Sequence, residues 1–228
     1  MNRARGRAPG PGRPRTPAAP RPAETTPRRL VADELESDGY LNDLQVDGAA
    51  LDEADTENTD IGGCTFTGGS LADSRWHRSR WVDSTFTGVD LANTELVRGS
   101  MERVVFSDCR MIGVRLAAAT LTDIEFVGCT LRMANLRQAV LRRVRLVDCV
   151  LVGTELSEAR CTDVEFLRCD LSETQWGNPG PRERLRLAGC ELQRISGLSQ
   201  LRGAEVTDSD PVVLAHVLAA DLGIWLSD

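Results

Sequence analysis

Large apolar residues recur at every fifth position from Ile61 to Trp176, at 24 consecutive positions without a polar exception. A period of five fits neither the 3.6-residue repeat of a helix nor the two-residue alternation of a strand. Two residues before many of these centres lies a small or β-branched residue, such as Val104 before Phe106. Because residues two apart in an extended chain point the same way, each five-residue unit is predicted to turn two side chains inward and then bend.

The phenylalanines add a longer period of twenty residues, so four units are predicted to close one coil. All five lie in one column, at Phe66, Phe86, Phe106, Phe126 and Phe166, with Leu146 in the gap. Four cysteines form a second column, at Cys109, Cys129, Cys149 and Cys169. The predicted core comprises these rings and thiols together with the leucines Leu91, Leu131, Leu151 and Leu171.

Charged residues follow the same period of twenty with alternating sign. One outward column reads Asp83, Arg103, Asp123, Arg143 and Asp163. Stacked coils lie about 4.8 Å apart, so like charges on adjacent coils would repel each other and opposite charges attract. This ladder column is therefore predicted to help set the register of the coils.

The units "VDLAN" (89–93), "ANLRQ" (134–138) and "CDLSE" (169–173) match the pattern A(D/N)Lxx. The chain thus resembles the pentapeptide repeat family over 41–176, and more loosely over 185–206. The resemblance implies an all-β, right-handed quadrilateral β-helix of 20 residues per coil, closed by a short C-terminal helix. All 27 basic residues are arginine, which with abundant Ala, Gly and Val indicates a GC-rich, actinobacterial-type bacterial source.

The chain divides into six segments by pattern and composition. We expect a disordered Arg/Pro-rich tail (1–30), because it holds almost no large apolar residue to offset the entropy of ordering. The other segments are an acidic N-terminal coil or cap (31–60), the regular solenoid (61–176), a loop (177–184), a final irregular coil (185–208) and a helix with a tail (209–228).

The C-terminal segment has the signals of an amphipathic helix. Pro211 is predicted in the first turn, after an N-cap at Ser209 or Asp210, and Gly223 is predicted to end the helix. Its apolar stripe either caps the last coil or forms a homodimer contact, as in relatives that pair through their C-terminal ends. The stripe comprises Val213, Leu214, Val217, Leu218 and Leu222, and the last four of these are the predicted cap or dimer residues.

Residue types that carry chemistry do not form a recognisable catalytic or metal-binding pattern. The seven cysteines contain no CxxC pair, and a straight column of thiols cannot surround a tetrahedral metal ion. His77 and His216 belong to no recognisable nucleophile–base arrangement, and no phosphate-binding motif occurs. We therefore expect no enzymatic activity and no cofactor. Without a long apolar run or a secretory signal, we expect a cytoplasmic protein with no membrane segment.

The net charge of −7 is distributed unevenly. Residues 1–29 carry eight Arg and one Glu, residues 31–60 carry eleven acids and no base, and residues 61–176 carry fifteen acids and fourteen Arg. The sequence favours a non-enzymatic scaffold that binds a protein partner of unknown identity. The alternative, implied by the resemblance, is a DNA mimic that binds a type II topoisomerase such as DNA gyrase and confers fluoroquinolone resistance. A nearly neutral solenoid argues against that alternative, since a DNA mimic needs a dense acidic face. Nucleic-acid binding is expected only through the Arg-rich tail.

Overall fold

The computed structural model describes residues 12–23, 26, 28–35, 37–178 and 182–224. The sequence interpretations of residues 1–11, of 179–181 within the predicted loop and of the final residues 225–228 lie outside these ranges. The described residues contain thirteen strands and one α-helix: β1 (Tyr40–Asn42), β2 (Gln45–Ala50), β3 (Asp55–Glu57), β4 (Asp60–Gly62), β5 (Thr65–Ser70), β6 (Arg75–His77), β7 (Arg80–Thr87), β8 (Ser100–Ser107), β9 (Thr120–Val127), β10 (Val140–Val147), β11 (Arg160–Leu167), β12 (Arg182–Ala188), β13 (Glu205–Thr207) and α1 (Pro211–Asp221).

The strands stack in parallel as a four-sided β-solenoid of about eight turns, which confirms the predicted fold. From β1 to β11 paired residues are twenty positions apart, so that Phe86 lies beside Phe106 and Phe106 beside Phe126. Strands β7 to β11 each cover two successive units, and the other two sides are paired by single bridges such as Asp90 with Arg110. Four five-residue units therefore make up one twenty-residue coil, as the two periods in the sequence predict.

The bend between units is a residue in the left-handed conformation two positions after each centre. Asp83 has φ +50°, Arg103 has φ +52° and Gly63 has φ +64°. Most non-glycine residues avoid this region, whereas Gly, Asn and Asp enter it more readily. The bend is held by pairing between coils, as when the amide of Asp108 donates to the carbonyl of Val127 at 2.8 Å.

The interior is a continuous apolar core, and every one of the thirteen predicted core side chains is at most 2% exposed. The rings of Phe66, Phe86, Phe106 and Phe126 stack with centroid separations of 4.7, 5.0 and 5.1 Å. The cysteines are free and buried, and the thiol of Cys129 donates to the carbonyl of Phe106 at 3.4 Å.

Between β11 and β12 the separation of paired residues is one larger than the twenty of the regular coils. Phe166 pairs with Leu187, a separation of 21 residues. In the same register Arg182 pairs with Cys161, so an arginine occupies a position that the other coils fill with an apolar side chain. The guanidinium lies 5.5 Å from the centroid of the Trp176 ring, and burial lowers the pKa of Arg182. Neither the apolar period nor the charge alternation marks Arg182 in the sequence.

The two ends of the solenoid are closed by different devices. At the start, Leu30 is fully buried and its carbonyl accepts from the amide of Ala50. At the other end, α1 begins at Pro211 with Asp210 as its N-cap, as predicted. Three of the four predicted cap or dimer residues, Leu214, Val217 and Leu218, pack against the core, as a cap requires.

The fourth of these residues, Leu222, does not pack against the core, so the cap alternative is wrong for this residue. It is the C-cap that follows the last helical residue, and 63% of it is exposed, because the chain has left the helical path there. The homodimer alternative for this helix stays a prediction. Within the described ranges no helix is long and apolar enough to span a membrane.

Candidate peptide-binding face

The ladder column lies at one corner of the solenoid. Its members occupy the left-handed bend inside each eight-residue strand, so their side chains project outward at the junction of two sides. In β12 the column continues to Arg184, also in the left-handed conformation. The ladder column, as the structure has it, comprises Asp83, Arg103, Asp123, Arg143, Asp163 and Arg184.

Each aspartate of the column pairs with the arginine of the next coil through two hydrogen bonds. Arg103 donates from Nε and Nη2 to the two carboxylate oxygens of Asp83, both at 2.7 Å. Arg143 does the same to Asp123, at 2.6 and 2.7 Å. Arg184 binds Asp163 likewise. This bidentate geometry is the strongest form of the Arg–carboxylate pair. Each pair fixes the alignment of the coil that carries the aspartate with the next coil, which carries the arginine.

The carboxylates are well shielded for a surface column. Asp123 is 7% exposed and Asp163 is 3% exposed. The hydrogen bonds from Arg143 hold the pKa of Asp123 below its ordinary value, and Arg184 does the same for Asp163. The pairs therefore stay charged at neutral pH, and their oxygens are available as strong acceptors.

Residues 12–23, the N-terminal strap, lie along this column, which corrects the expectation that the whole tail is disordered. The amide of Arg15 donates to Asp163 Oδ1 at 3.1 Å, and the amide of Ala18 donates to Asp123 Oδ1 at 3.0 Å. A backbone hydrogen bond from Arg21 contributes to the lowered pKa of Asp83. The strap thus runs antiparallel to the coil order and contacts every second coil.

The strap reads "GRPRTPAAPRPA", with Pro14, Pro17 and Pro20 at every third position. These three prolines are partly buried, whereas the residues between them are exposed. A three-residue period is that of the polyproline II helix, which rises about 3.1 Å per residue and has no internal hydrogen bonds. Three residues span about 9.3 Å, close to the 9.6 Å or so of two coils.

This match explains why a segment without large apolar residues is ordered. The disorder argument asks whether a segment buries enough apolar surface to offset its entropy loss. Prolines already restrict the chain to the bound conformation, so less entropy is lost, and shielded carboxylates satisfy its free amides. The proline spacing was the signal in the sequence, but it indicates binding only when its length is compared with the distance between aspartates two coils apart.

The other candidate groups lie apart from this face. Trp76 and Trp81 are buried, as their centre positions predict. His216 lies on α1 with Nδ1 2.8 Å from the carbonyl of Val212, and His77 ends β6. Burial raises the pKa of Cys161 to about 12, so this thiol is neutral. Among the described residues no group of three or more His, Cys, Asp or Glu side chains could hold a metal ion.

The model of the "Pentapeptide repeat region" matches residues 79–146 and 119–196, which together cover just over half of the 228-residue chain. The chain belongs to the pentapeptide repeat family. No curated protein sequence matches it significantly.

Three solved structures of pentapeptide repeat proteins are similar to this chain. Trypsin-treated QnrB1, a plasmid-mediated fluoroquinolone resistance protein, is 18% identical, with 90% of this chain and 100% of that chain covered and a TM-score of 0.39. HetL, involved in heterocyst differentiation regulation in Nostoc sp. strain PCC 7120, is 18% identical, with coverages of 77% and 86% and a TM-score of 0.34. A thylakoid-lumen protein of Arabidopsis thaliana is 19% identical, with coverages of 58% and 72% and a TM-score of 0.18.

Proposed function

We propose that this pentapeptide repeat protein is a non-enzymatic scaffold that acts through protein–protein interaction. The observation that carries the proposal is the ladder column, whose carboxylates hold an extended polypeptide by its backbone amides. A surface that binds one extended segment in this way has the chemistry to bind others. The buried free thiols suit a reducing compartment, in keeping with the expected cytoplasmic location.

A repeating rod favours this use because each coil presents the same positions at the same spacing. The ion pairs between coils fix those positions, so a partner meets a surface that is already organised and loses less entropy on binding. The scaffold can therefore recognise a partner through its shape and charge pattern.

The proposal is tested by photo-crosslinking in cells of the source organism. A crosslinking amino acid replaces Arg142, which is exposed beside the ladder column, or Met133, which is 68% exposed at the diagonally opposite corner. We expect a discrete crosslinked protein from one position and not from the other. Equal, diffuse labelling from both positions would contradict a scaffold with a defined binding face.

A second candidate is binding to a type II topoisomerase such as DNA gyrase, with fluoroquinolone protection. The observation that favours it is the acid-rich first coils, where Asp47, Asp52 and Glu53 are exposed. In the described part of these coils, only Asp55 and Glu57 form ion pairs with arginines of the following coil. Farther along, the ladder column is neutralised pair by pair, which limits a DNA-like face to one end.

This candidate is tested in a DNA gyrase supercoiling assay with the full chain, with and without a fluoroquinolone. Inhibition or drug rescue at micromolar protein, lost when Asp47, Asp52 and Glu53 are changed to their amides, would support it. The matched control changes Asp148, an acid already paired with an arginine of the regular solenoid. No effect at high protein concentration would exclude it for that enzyme.

A further inference from the structure

We propose that the ladder column is a binding site for proline-rich segments of other proteins in the polyproline II conformation, and that the N-terminal strap is its built-in competitor. The inference deepens the proposed scaffold function by naming the site and the kind of partner. The ligand class is an extended segment with proline at every third residue and arginine among the residues between.

The spacing of acceptors defines the length and phase of the ligand. Oxygens of Asp163 and Asp123 accept from amides three residues apart, Arg15 and Ala18, across two coils. Asp83 continues the series with Arg21, again three residues and two coils away. Amides three residues apart that face the same column require a backbone that repeats every three residues, whereas successive residues of an extended β-strand alternate in direction with a period of two.

Charge defines the ligand further. Arg15 and Arg21 follow prolines and lie where their charge lowers the pKa of Asp163 and Asp83. At the central contact stands Ala18, so a cation is not required at every triplet. Because the ligand donates its hydrogen bonds from backbone amides, the site recognises the three-residue proline spacing and the positive charge. It places no requirement on the other side chains.

The strap is joined to the solenoid, and this tether raises its effective concentration at the site. At the end of the strap, the amide of Ala23 donates to the carbonyl of Gly63, and farther along Arg28 pairs with Val46 at the first coil. A partner must therefore displace the strap, so the free chain is self-blocked. Binding by another protein becomes competitive with an intramolecular contact.

The first arm of the test asks whether the strap is docked, using the full chain. Ala18→Pro removes the amide donor to Asp123 while keeping the polyproline II conformation, and Ala19→Pro is the matched control at an exposed neighbour. Trypsin cleavage between Arg15 and Thr16 reports release. We expect Ala18→Pro to speed this cleavage about tenfold and Ala19→Pro to leave it unchanged. Equal cleavage rates in both variants would overturn the docked strap.

The second arm measures binding of a fluorescent peptide with the strap sequence to the Ala18→Pro chain by fluorescence polarisation. We expect binding that is about tenfold weaker to the wild-type chain, whose own strap is docked. A peptide of the same composition with the proline phase broken is expected to bind about tenfold more weakly as well. Binding that is indifferent to the proline phase, or no binding at all, would overturn the proposal.

A third arm assigns the site within the solenoid. Asp123→Asn in the Ala18→Pro chain is expected to lower peptide affinity about tenfold, whereas Asp148→Asn is not. Asp148 is the matched control because Arg168 binds both of its oxygens at 2.7 Å at a different corner. Equal losses would overturn the assignment.

Two further outcomes separate the alternatives. If wild type were a dimer that Ala18→Pro dissociates, the occupant would be the strap of a second copy, which would overturn the intramolecular competitor. Failure of all peptide arms together with a specific crosslink from Met133 would refute this site while leaving the scaffold function standing.

Discussion

The phenylalanine column makes a quantitative prediction at Phe106, at its centre. This ring is fully buried and stacks on Phe86 and Phe126 at centroid distances of 5.0 and 5.1 Å. Truncating a buried phenylalanine to alanine costs about 3–5 kcal/mol, because the transfer free energy is lost and a cavity remains. Coils held on both sides by full ladders have little freedom to collapse into that cavity, so we expect the upper half of this range for Phe106→Ala.

The column supplies its own control, because Leu146 already occupies the equivalent position between Phe126 and Phe166 and is 3% exposed. Phe106→Leu should therefore cost about 1.5 kcal/mol or less. The measurement is urea unfolding followed by circular dichroism. With a slope of about 2.5 kcal/mol per M, the upper half of the range corresponds to a midpoint for Phe106→Ala that is lower by roughly 1.6–2 M.

The reasoning would be refuted if the alanine and leucine variants unfolded at the same urea concentration. That result would mean that the core tolerates an empty position, as a loosely packed interior would. Loss of a single transition in the alanine variant would instead show that the cavity divides the rod into separately unfolding parts, since repeat proteins couple mainly through nearest neighbours.

Three other changes test separate features of the fold. Gly69→Ala should destabilise the protein severely, because its Cβ would lie 2.2 Å from the backbone nitrogen of Ala49 and the residue has φ +84°. Gly88→Ala, at φ +63° with open space around the new Cβ, should cost only about 1 kcal/mol. Thermal unfolding of the two variants compares these costs. Arg182→Leu should raise the melting temperature, because it removes a charge whose Nε and Nη2 are buried without hydrogen-bond partners; a lower melting temperature would contradict this. The pKa of Asp123 is lower in the folded protein than in the unfolded chain, where it is about 3.9, so this carboxylate stabilises the fold above that pH. The stabilisation is lost as the pH falls through the pKa of the folded state. Asp123→Asn should therefore weaken the decrease of melting temperature at acid pH, and an unchanged decrease would contradict this prediction.

The fold could be predicted from the sequence because one physical constraint repeats along the chain. Every centre from Ile61 to Trp176 meets the same narrow interior, so apolar residues recur at each, and the stacked coils impose the alternating charges. Arg182 departs from the pattern where the separation of paired residues changes from 20 to 21, and the apolar period carries no information there. Leu30 was missed because it stands alone, outside any repeating series.

The strap could not be predicted in the same way, because its order depends on a relation between two distant segments. Pro14, Pro17 and Pro20 set a period of three residues, and the aspartates set a period of forty. Neither period indicates binding until the first is converted to a length along the strap and the second to a length along the solenoid. At about 3.1 Å per residue in one case and 4.8 Å per coil in the other, the two periods become nearly equal.

The alternating charges of the ladder column allow the strap to bind at this matched spacing of three residues and two coils. Aspartates on every coil, about 4.8 Å apart, would repel one another, and every second carboxylate would lie between two amides of a three-residue helix without a donor. Interposing Arg103 and Arg143 cancels the repulsion, anchors each carboxylate and leaves acceptors two coils apart. Duplicating one coil between Asp123 and Asp163 would break the phase, since the strap would then need a non-integral number of triplets. The same alternation that sets the register of the coils therefore selects a polyproline II ligand.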